Sequence, residues 1–201
     1  MPVRDKSYHI ITDNYYLGNG ILSVLTETVT EVAACYTTLL DEKGGNLSEL
    51  RERIAQYPVT LIILSVRCIR LRKTILNELG MCKGNVLVLS PPGLFSRGQH
   101  WLDIHEVVVI PENISIGDFL QCVFNASSGS LNIRISRSEY CIIESLLQGG
   151  GLKEISLKTG CSPRYVNILK NRLMSRIGGL TGVHGLLLCW DIIRMNPLAG
   201  R

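Results

Sequence analysis

The 201-residue sequence predicts two units, an α/β unit with a five-stranded parallel sheet and an all-α unit of four helices. In residues 1–126, short apolar strand patterns alternate with amphipathic helical patterns, as they do in a parallel sheet with crossover helices. Residues 127–133 are small and polar, which is typical of a linker. Strand patterns then end, and residues 134–197 show helical periodicity alone.

Five strands are predicted in the first unit, at residues 8–12, 31–36, 59–66, 84–92 and 106–111. The third strand, VTLIILSV, is a continuous apolar run, as expected of a central strand buried on both faces. Helical patterns lie between the strands and after the last one, at residues 17–29, 46–57, 71–82 and 115–126. The stretch before the fifth strand is irregular, and no element is predicted there.

Capping signals place the four helices of the second unit within residues 136–150, 152–160, 162–177 and 182–195. Ser136 and Glu139 have the spacing of a capping box. Gly160 is expected to end the second helix. Ser162 is expected to cap the third helix, with Pro163 at its first position, where the missing N–H of proline costs no hydrogen bond.

Charge is distributed unevenly along the chain. Residues 1–133 contain 11 Lys and Arg and 13 Asp and Glu, a net charge of −2. Residues 134–201 contain 10 Lys and Arg and 4 Asp and Glu, a net charge of +6. A small basic unit attached to a mildly acidic one indicates a polyanionic partner for the basic unit.

The third helix of the basic unit has two contrasting faces. Helical periodicity places on one apolar stripe the residues Val166, Leu169, Leu173 and Ile177. The opposite face contains no acid and carries Arg164, Asn167, Ile168, Asn171, Arg172 and Ser175. Because Arg and Asn hydrogen-bond base edges in the major groove, this face favours DNA recognition by a helix-turn-helix. A purely structural three-helix unit with a basic surface is the alternative interpretation.

Several spaced anchors in this region form a recognisable pattern. They are Ser136 with Glu139, Gly149, the run Glu154-Ile155-Ser156, the run Ser162 to Val166, and the run Leu173 to Ile177. With these anchors, residues 135–178 resemble the C-terminal DNA-binding domain of the LuxR/FixJ class of bacterial transcription regulators. The chain departs from that pattern at Tyr165 and Leu169, where the class usually has Thr and His.

The resemblance implies that Asn167, Ile168 and Asn171 face the bases, and that the fourth helix contacts a second copy or a related regulator. The periodicity independently places these three residues on the exposed face. Basic neighbours are expected to contact phosphates. The predicted DNA-binding residues are Lys153, Lys158, Arg164, Tyr165, Asn167, Ile168, Lys170, Asn171, Arg172 and Arg176.

The first unit resembles the receiver domain of response regulators in its alternation of strands and helices, without the residues that phosphorylation needs. Such a domain requires an acid pair after the first strand, an Asp after the third and a Lys after the fifth. Here only Asp13 follows the first strand, Leu64 or Ser65 takes the place of the acceptor, and Ile110 stands where Lys is expected. Ser90 matches the hydroxyl position. No phosphoacceptor is therefore predicted.

Other functional constellations are weak in this sequence. Gly18 and Gly20 lack the third glycine of a dinucleotide fingerprint, so they are expected to shape a turn. His100, Asp103 and His105 have no second ligand cluster, so neither a metal nor a cofactor is predicted. An enzyme is not expected, because no nucleophile signature is present.

The sequence also bears on the compartment. The seven cysteines are odd in number and widely spaced, which favours reduced thiols in a cytoplasmic protein. No apolar run is long enough to span a bilayer, and the N-terminus lacks the apolar region of a signal peptide. The protein is therefore predicted to be cytoplasmic and to have no membrane partner.

Two functions follow from the sequence. The first is a DNA-binding transcription regulator that is independent of phosphorylation and acts on promoter DNA as a homodimer or heterodimer. Its targets are fimbrial or capsule genes, by resemblance alone. The alternative is a regulator that acts by protein contact with a related transcription factor and binds little DNA itself.

Overall fold

The structure is a computed structural model, and it describes residues 6–29, 32–40, 47–56, 59–79, 85–91, 102–104, 107–127, 136–176, 185 and 187–191. The strands are β1 Lys6–Thr12, β2 Val32–Leu39, β3 Leu61–Ser65, β4 Asn85–Ser90, β5 Leu102–Ile104 and β6 Val107–Pro111. The helices are α1 Tyr15–Thr28, α2 Leu47–Gln56, α3 Ile69–Leu79, α4 Ile116–Ser127, α5 Arg137–Leu147, α6 Leu152–Thr159 and α7 Pro163–Arg176.

The first unit is an α/β sheet in the order β2-β1-β3-β4-β6-β5. The five predicted strands pair in parallel, which confirms the predicted α/β class of this first unit. A sixth strand, β5, pairs antiparallel with β6 at the edge of the sheet. The sequence predicts no element in this stretch.

Both faces of the sheet are covered, which explains why β3 is apolar along its whole length. Ile62 and Leu64 lie in the cluster that includes Leu50 of α2 and Ile75 of α3. Ile63, pointing the other way, lies in a second cluster with residues of α1 and α4. The alternation of side chains along a strand accounts for this division.

The glycines near the start of the chain lie within α1, so the expectation that they shape a turn is wrong. Asn14 caps this helix by accepting a hydrogen bond from the Leu17 N–H at 3.2 Å. A Cβ atom on Gly18 would lie 2.8 Å from Cγ2 of Thr12, whereas one on Gly20 would meet nothing within 4 Å. Gly18 therefore permits α1 to approach β1 closely.

Helices α5, α6 and α7 follow α4 along the chain. The capping box is present, because Ser136 Oγ accepts from the Glu139 N–H and the Glu139 carboxylate accepts from the Ser136 N–H. Gly160 ends α6 with φ of 68°, a conformation that favours glycine. Of the predicted fourth helix, only residues 185 and 187–191 are described, and they are helical. Helix α4 ends at Ser127, and residues 128–133 of the predicted linker lie outside the described residues.

The two glycines of α1 provide a matched test of this packing. Gly20→Ala is expected to stabilise the protein by up to about 1 kcal/mol, because alanine is the better helix former and has open space there. Gly18→Ala is expected to destabilise it by about 1–3 kcal/mol, because the new methyl group overpacks against buried Thr12. Urea unfolding measures both changes, and equal effects would contradict the close approach of α1 to β1.

Candidate nucleic-acid interface

Helices α6 and α7 are joined by a short turn of three residues, Gly160, Cys161 and Ser162. Hydrogen bonds hold both ends of the turn. Ser156 Oγ donates to the Cys161 carbonyl, and the N–H of Val166 donates to the Ser162 carbonyl at 2.9 Å. Ser162 Oγ also accepts from the N–H of Tyr165 at 3.3 Å. These bonds set the angle at which α7 leaves the turn.

Helix α7 is anchored by its apolar stripe. Val166 and Leu173 are fully buried, in one cluster with Ile142 and Ile143 of α5 and Ile155 of α6. Leu169 is half-buried and packs on the same cluster. Ile177, the fourth predicted member of the stripe, lies outside the described residues.

The opposite face of α7 is exposed, as its periodicity predicts. Arg164, Asn167, Asn171 and Arg172 are exposed, and Tyr165 and Ile168 are exposed by 51% and 48%. The structure therefore brings these six predicted residues onto accessible surface of α7. Lys170 is half-buried, and the side chain of Arg176 lies outside the described part of the chain.

The two predicted lysines on α6 differ in their surroundings. Lys153 and Lys158 are both exposed. Lys158 Nζ lies 3.2 Å from Glu154 Oε1 and donates to Gln148 Oε1 at 3.3 Å. The spacing of Glu154 and Lys158, four residues apart on one helix, signals this pair in the sequence. Because exposed pairs of this kind contribute little stability, a phosphate could compete for the lysine.

One exposed apolar residue near these lysines escaped the sequence analysis. Leu157 on α6 is 85% exposed, although its residue type favours the core. Its exposure could not be predicted from the sequence, because one leucine between Ser156 and Lys158 shows no periodicity that would assign it to a face of the helix.

At the carboxyl edge of the sheet, side chains connect the loops that follow three of the strands. Asp13 Oδ2 accepts from the backbone N–H groups of Arg67 at 2.8 Å and Cys68 at 3.3 Å. Arg67 Nη2 in turn lies 3.1 Å from Glu112 Oε2. The loops after β1, β3 and β6 are therefore tied together by side chains of this chain.

The ends of the central strands supply hydroxyl groups and apolar groups at this edge. Ser65 is paired with Thr12 in the sheet register, and Ser90 lies at the end of β4. The hydroxyl groups of Ser65 and Ser90 are buried and make no hydrogen bond to the described residues. Ile110, where a receiver has its lysine, is fully buried. None of these three residues supplies a carboxylate or an ammonium group.

A buried arginine lies close to this edge. Arg72 on α3 is 2% exposed, and its Nε and Nη2 make no hydrogen bond to the described residues. Burial lowers the pKa of Arg72, while the carboxylates of Asp191 and Asp13 act in the opposite direction. Asp191, in the helical segment 187–191, is itself 3% exposed. The C-terminal segment therefore supplies a counter-charge to α3.

The same C-terminal segment contributes to the core of the chain. Leu188 and Cys189 are fully buried, and the ring of Trp190 lies 4.8 Å from that of Tyr140. The fourth helix was expected to contact a second copy or a related regulator. Since Leu188 and Cys189 are already covered, such a contact would have to use other residues of this helix.

The described residues contain neither a metal-binding cluster nor a membrane-spanning helix. No group of three or more His, Cys, Asp and Glu residues there could hold a metal ion, and His100 and His105 lie outside the described ranges. No helix in the described part of the chain has the length and apolar character needed to cross a membrane. The six described cysteines are free thiols, at positions 35, 68, 122, 141, 161 and 189.

Comparisons with known proteins give only distant similarities. No protein-family model matches the chain, and no curated protein is detectably similar to it. A complex of the response regulator RcsB with DNA covers 94% of this chain and 100% of its own, at 14% identity and a TM-score of 0.47. RcsB from Salmonella enterica serovar Typhimurium, bound to a promoter in the presence of a phosphomimetic, gives the same coverage and identity and a TM-score of 0.46.

A third similar structure is ChrA, the response regulator of a heme-sensing two-component system. It covers 94% of this chain and 98% of its own, at 11% identity and a TM-score of 0.36.

The interaction between the charges of Arg72 and Asp191 can be tested by measuring the free energy of unfolding of variants. Arg72→Met is expected to destabilise the protein by about 3–5 kcal/mol, because it removes a buried positive charge that acts on the buried carboxylate of Asp191. Arg70→Met, on the exposed side of the same helix, is expected to change stability by less than about 0.5 kcal/mol. Guanidinium unfolding measures both values. A double variant with Asp191→Leu should recover much of the loss, and a purely additive double variant would contradict the pairing.

Proposed function

We propose that the chain is a DNA-binding transcription regulator in which α7 enters the major groove. The observation that carries this proposal is the exposed face of α7, which offers amide and guanidinium groups and contains no acid between residues 163 and 176. A face that is merely solvated usually mixes both signs of charge. An α-helix with its side chains, about 10–12 Å across, fits a groove about 12 Å wide.

The base contacts are assigned to one strip of α7. Asn167 and Asn171 are both exposed and lie four residues apart, so their amides are neighbours on the helix surface. Each amide can bond the N6 and N7 positions of an adenine, and Arg164 can reach a guanine. Ile168 lies beside the two amides, where its exposed side chain can contact the methyl group of a thymine.

The phosphate contacts are assigned to the flanking residues. Lys153 and Lys158 lie on α6, and Lys170, Arg172 and Arg176 lie on α7. The amino end of α7 has no acid in its first turn, so its partial positive charge also favours a phosphate. The hydroxyl group of Tyr165 is placed at this end and is a further donor. Contacts of this kind supply affinity and register without reading sequence.

The functional assembly is proposed to be a homodimer or a heterodimer with a related regulator, acting on fimbrial or capsule genes. Two half-sites are needed because one short recognition helix reads few bases and binds weakly. Regulation is proposed to be independent of phosphorylation. The loop contacts of Asp13, Arg67 and Glu112 support this, because they use the edge of the sheet for internal bonds.

The base-reading role of α7 can be tested with amide variants. Asn167→Ala combined with Asn171→Ala is expected to weaken binding to a selected DNA site by at least about tenfold, since each bidentate pair contributes about 1–3 kcal/mol of discrimination. Binding to random DNA should change little. Fluorescence anisotropy over a range of salt concentrations measures both affinities.

A matched control uses the exposed amides of Asn77 on α3 and Asn125 on α4. Their double alanine variant should bind the selected site as the wild type does. Loss of Lys153 or Arg172 should instead weaken binding to all sequences and reduce the salt slope by about one. Equal affinities of the two amide variants would contradict the proposal. An absence of any binding at low salt would favour regulation by protein contact.

Independence from phosphorylation has its own test. Beryllofluoride with Mg²⁺, which mimics an aspartyl phosphate in receivers, is expected to leave the affinity for the selected DNA unchanged. The physical reason is that the end of β3 offers Ser65 and buried Val66 instead of a carboxylate. A Mg²⁺-dependent increase in affinity, measured by the same anisotropy titration, would show that another residue accepts the group.

A further inference from the structure

A cavity of about 310 Å³ lies beside the edge of the sheet formed by β1 and β2, under the end of α2. It is lined by His9, Tyr36, Arg53, Gln56 and Val59. This volume is near the lower limit of cavities that bind small molecules. None of these residues belongs to the α6–α7 surface, and the proposed DNA contacts do not use them.

The inner wall of the cavity is a buried histidine. His9 is 1% exposed, and its Nε2 lies 2.8 Å from Thr38 Oγ1. Its Nδ1 makes no hydrogen bond to the described residues. Burial lowers the pKa of His9 to about 4, and the positive charge of Arg53 acts in the same direction. The imidazole is therefore neutral near pH 7 and has one nitrogen that makes no hydrogen bond to the described residues.

Aromatic and apolar groups shape the rest of the inner wall. The rings of His9 and Tyr36 are 6.4 Å apart and inclined at 67°, an edge-to-face arrangement. Val59, two residues before the start of β3, contributes an aliphatic side chain to the lining of the cavity. A flat ring of about the size of benzene can pack against these groups with favourable geometry.

The outer rim of the cavity carries the polar groups. Arg53 Nη2 is bound to Glu49 Oε1, while its remaining N–H groups make no hydrogen bond to the described residues. Gln56, three residues further along α2, is exposed and also lines the cavity. The pair of Arg53 and Glu49 is an exposed one, so a ligand that offers a second acceptor can bind the free edge of the guanidinium group.

We propose that this cavity binds a small aromatic carboxylate, with its carboxylate on Arg53 and Gln56 and its ring against Tyr36. The planar guanidinium group matches a carboxylate in two parallel hydrogen bonds, which accounts for the anionic head of the ligand. The neutral imidazole at the inner end adds a polar contact for a ring substituent. The first unit would then be a ligand-binding domain, a role that does not depend on DNA binding by the second.

The probe for this site is 4-fluorobenzoate, and its binding to the full-length chain is followed by broadening of its ¹⁹F NMR signal. The wild-type protein is expected to bind it with a millimolar or lower Kd. Arg53→Gln is expected to weaken binding at least about tenfold, which corresponds to about 1.4 kcal/mol. Gln56→Glu, on the same exposed rim, should also weaken binding of 4-fluorobenzoate, because the new carboxylate repels that of the probe.

The matched control is Arg51→Gln, on the same helix. Arg51 is exposed and pairs with Glu78 rather than lining the cavity, so its variant should bind as the wild type does. The neutral analogue 4-fluorobenzamide should bind at least about tenfold more weakly, because it lacks the charge that Arg53 recognises.

Three outcomes would overturn the proposal. They are no binding of 4-fluorobenzoate by the wild type, equal binding of the amide and the carboxylate, and equal affinities of the Arg53 and Arg51 variants. The measurement uses no DNA. A protein that does not bind promoter DNA can therefore still bind 4-fluorobenzoate, and a protein that does not bind 4-fluorobenzoate can still bind promoter DNA.

Discussion

The burial of Val166 and Leu173 is the constraint on which the proposed interface depends. These two side chains lie on one stripe of α7 and are fully enclosed with Ile142, Ile143 and Ile155. Their packing fixes the rotation of α7 about its own axis, because they lie at nearly the same angle and a turn of the helix by about 100° would move both of them away from the core. The same constraint presents Asn167 and Asn171 to solvent. The packing of the core of the second unit therefore also determines which residues of α7 form the proposed recognition surface.

Much of the fold could be predicted because the relevant signals are local. The five parallel strands follow from apolar runs, and the caps at Ser136 and Gly160 follow from residue types with few alternatives. The strand β5 could not be predicted, because three residues at a sheet edge carry almost no periodicity. The role of Gly18 was missed for a different reason. Its value lies in the distance between α1 and Thr12, which is a tertiary quantity and leaves no pattern in the neighbouring sequence.

The features of the candidate surface also fall into those that could be predicted from the sequence and those that could not. The exposed face of α7 could be predicted from periodicity, and the i, i+4 pairing of Lys158 with Glu154 was visible in the sequence. The contact of Lys158 with Gln148, the enclosure of Arg72 and the cavity around His9 could not be predicted. Each joins residues from separate elements, and their proximity depends on how helices pack on the sheet. His9 also looks ordinary in the sequence, since the residues that line the cavity with it come from β2, α2 and the segment just before β3.

The position of Arg72 has a consequence for how the chain behaves as a whole. The guanidinium group of Arg72 is buried, and the carboxylate of Asp191, in the segment 187–191, raises its pKa against the effect of burial. A protease that removed residues 187–191 would take away this carboxylate together with Leu188 and Cys189, which are buried in the cluster that also contains Leu71 and Ile75 of α3. The two units are thus poor candidates for independent folding, and heat should melt them in one cooperative transition.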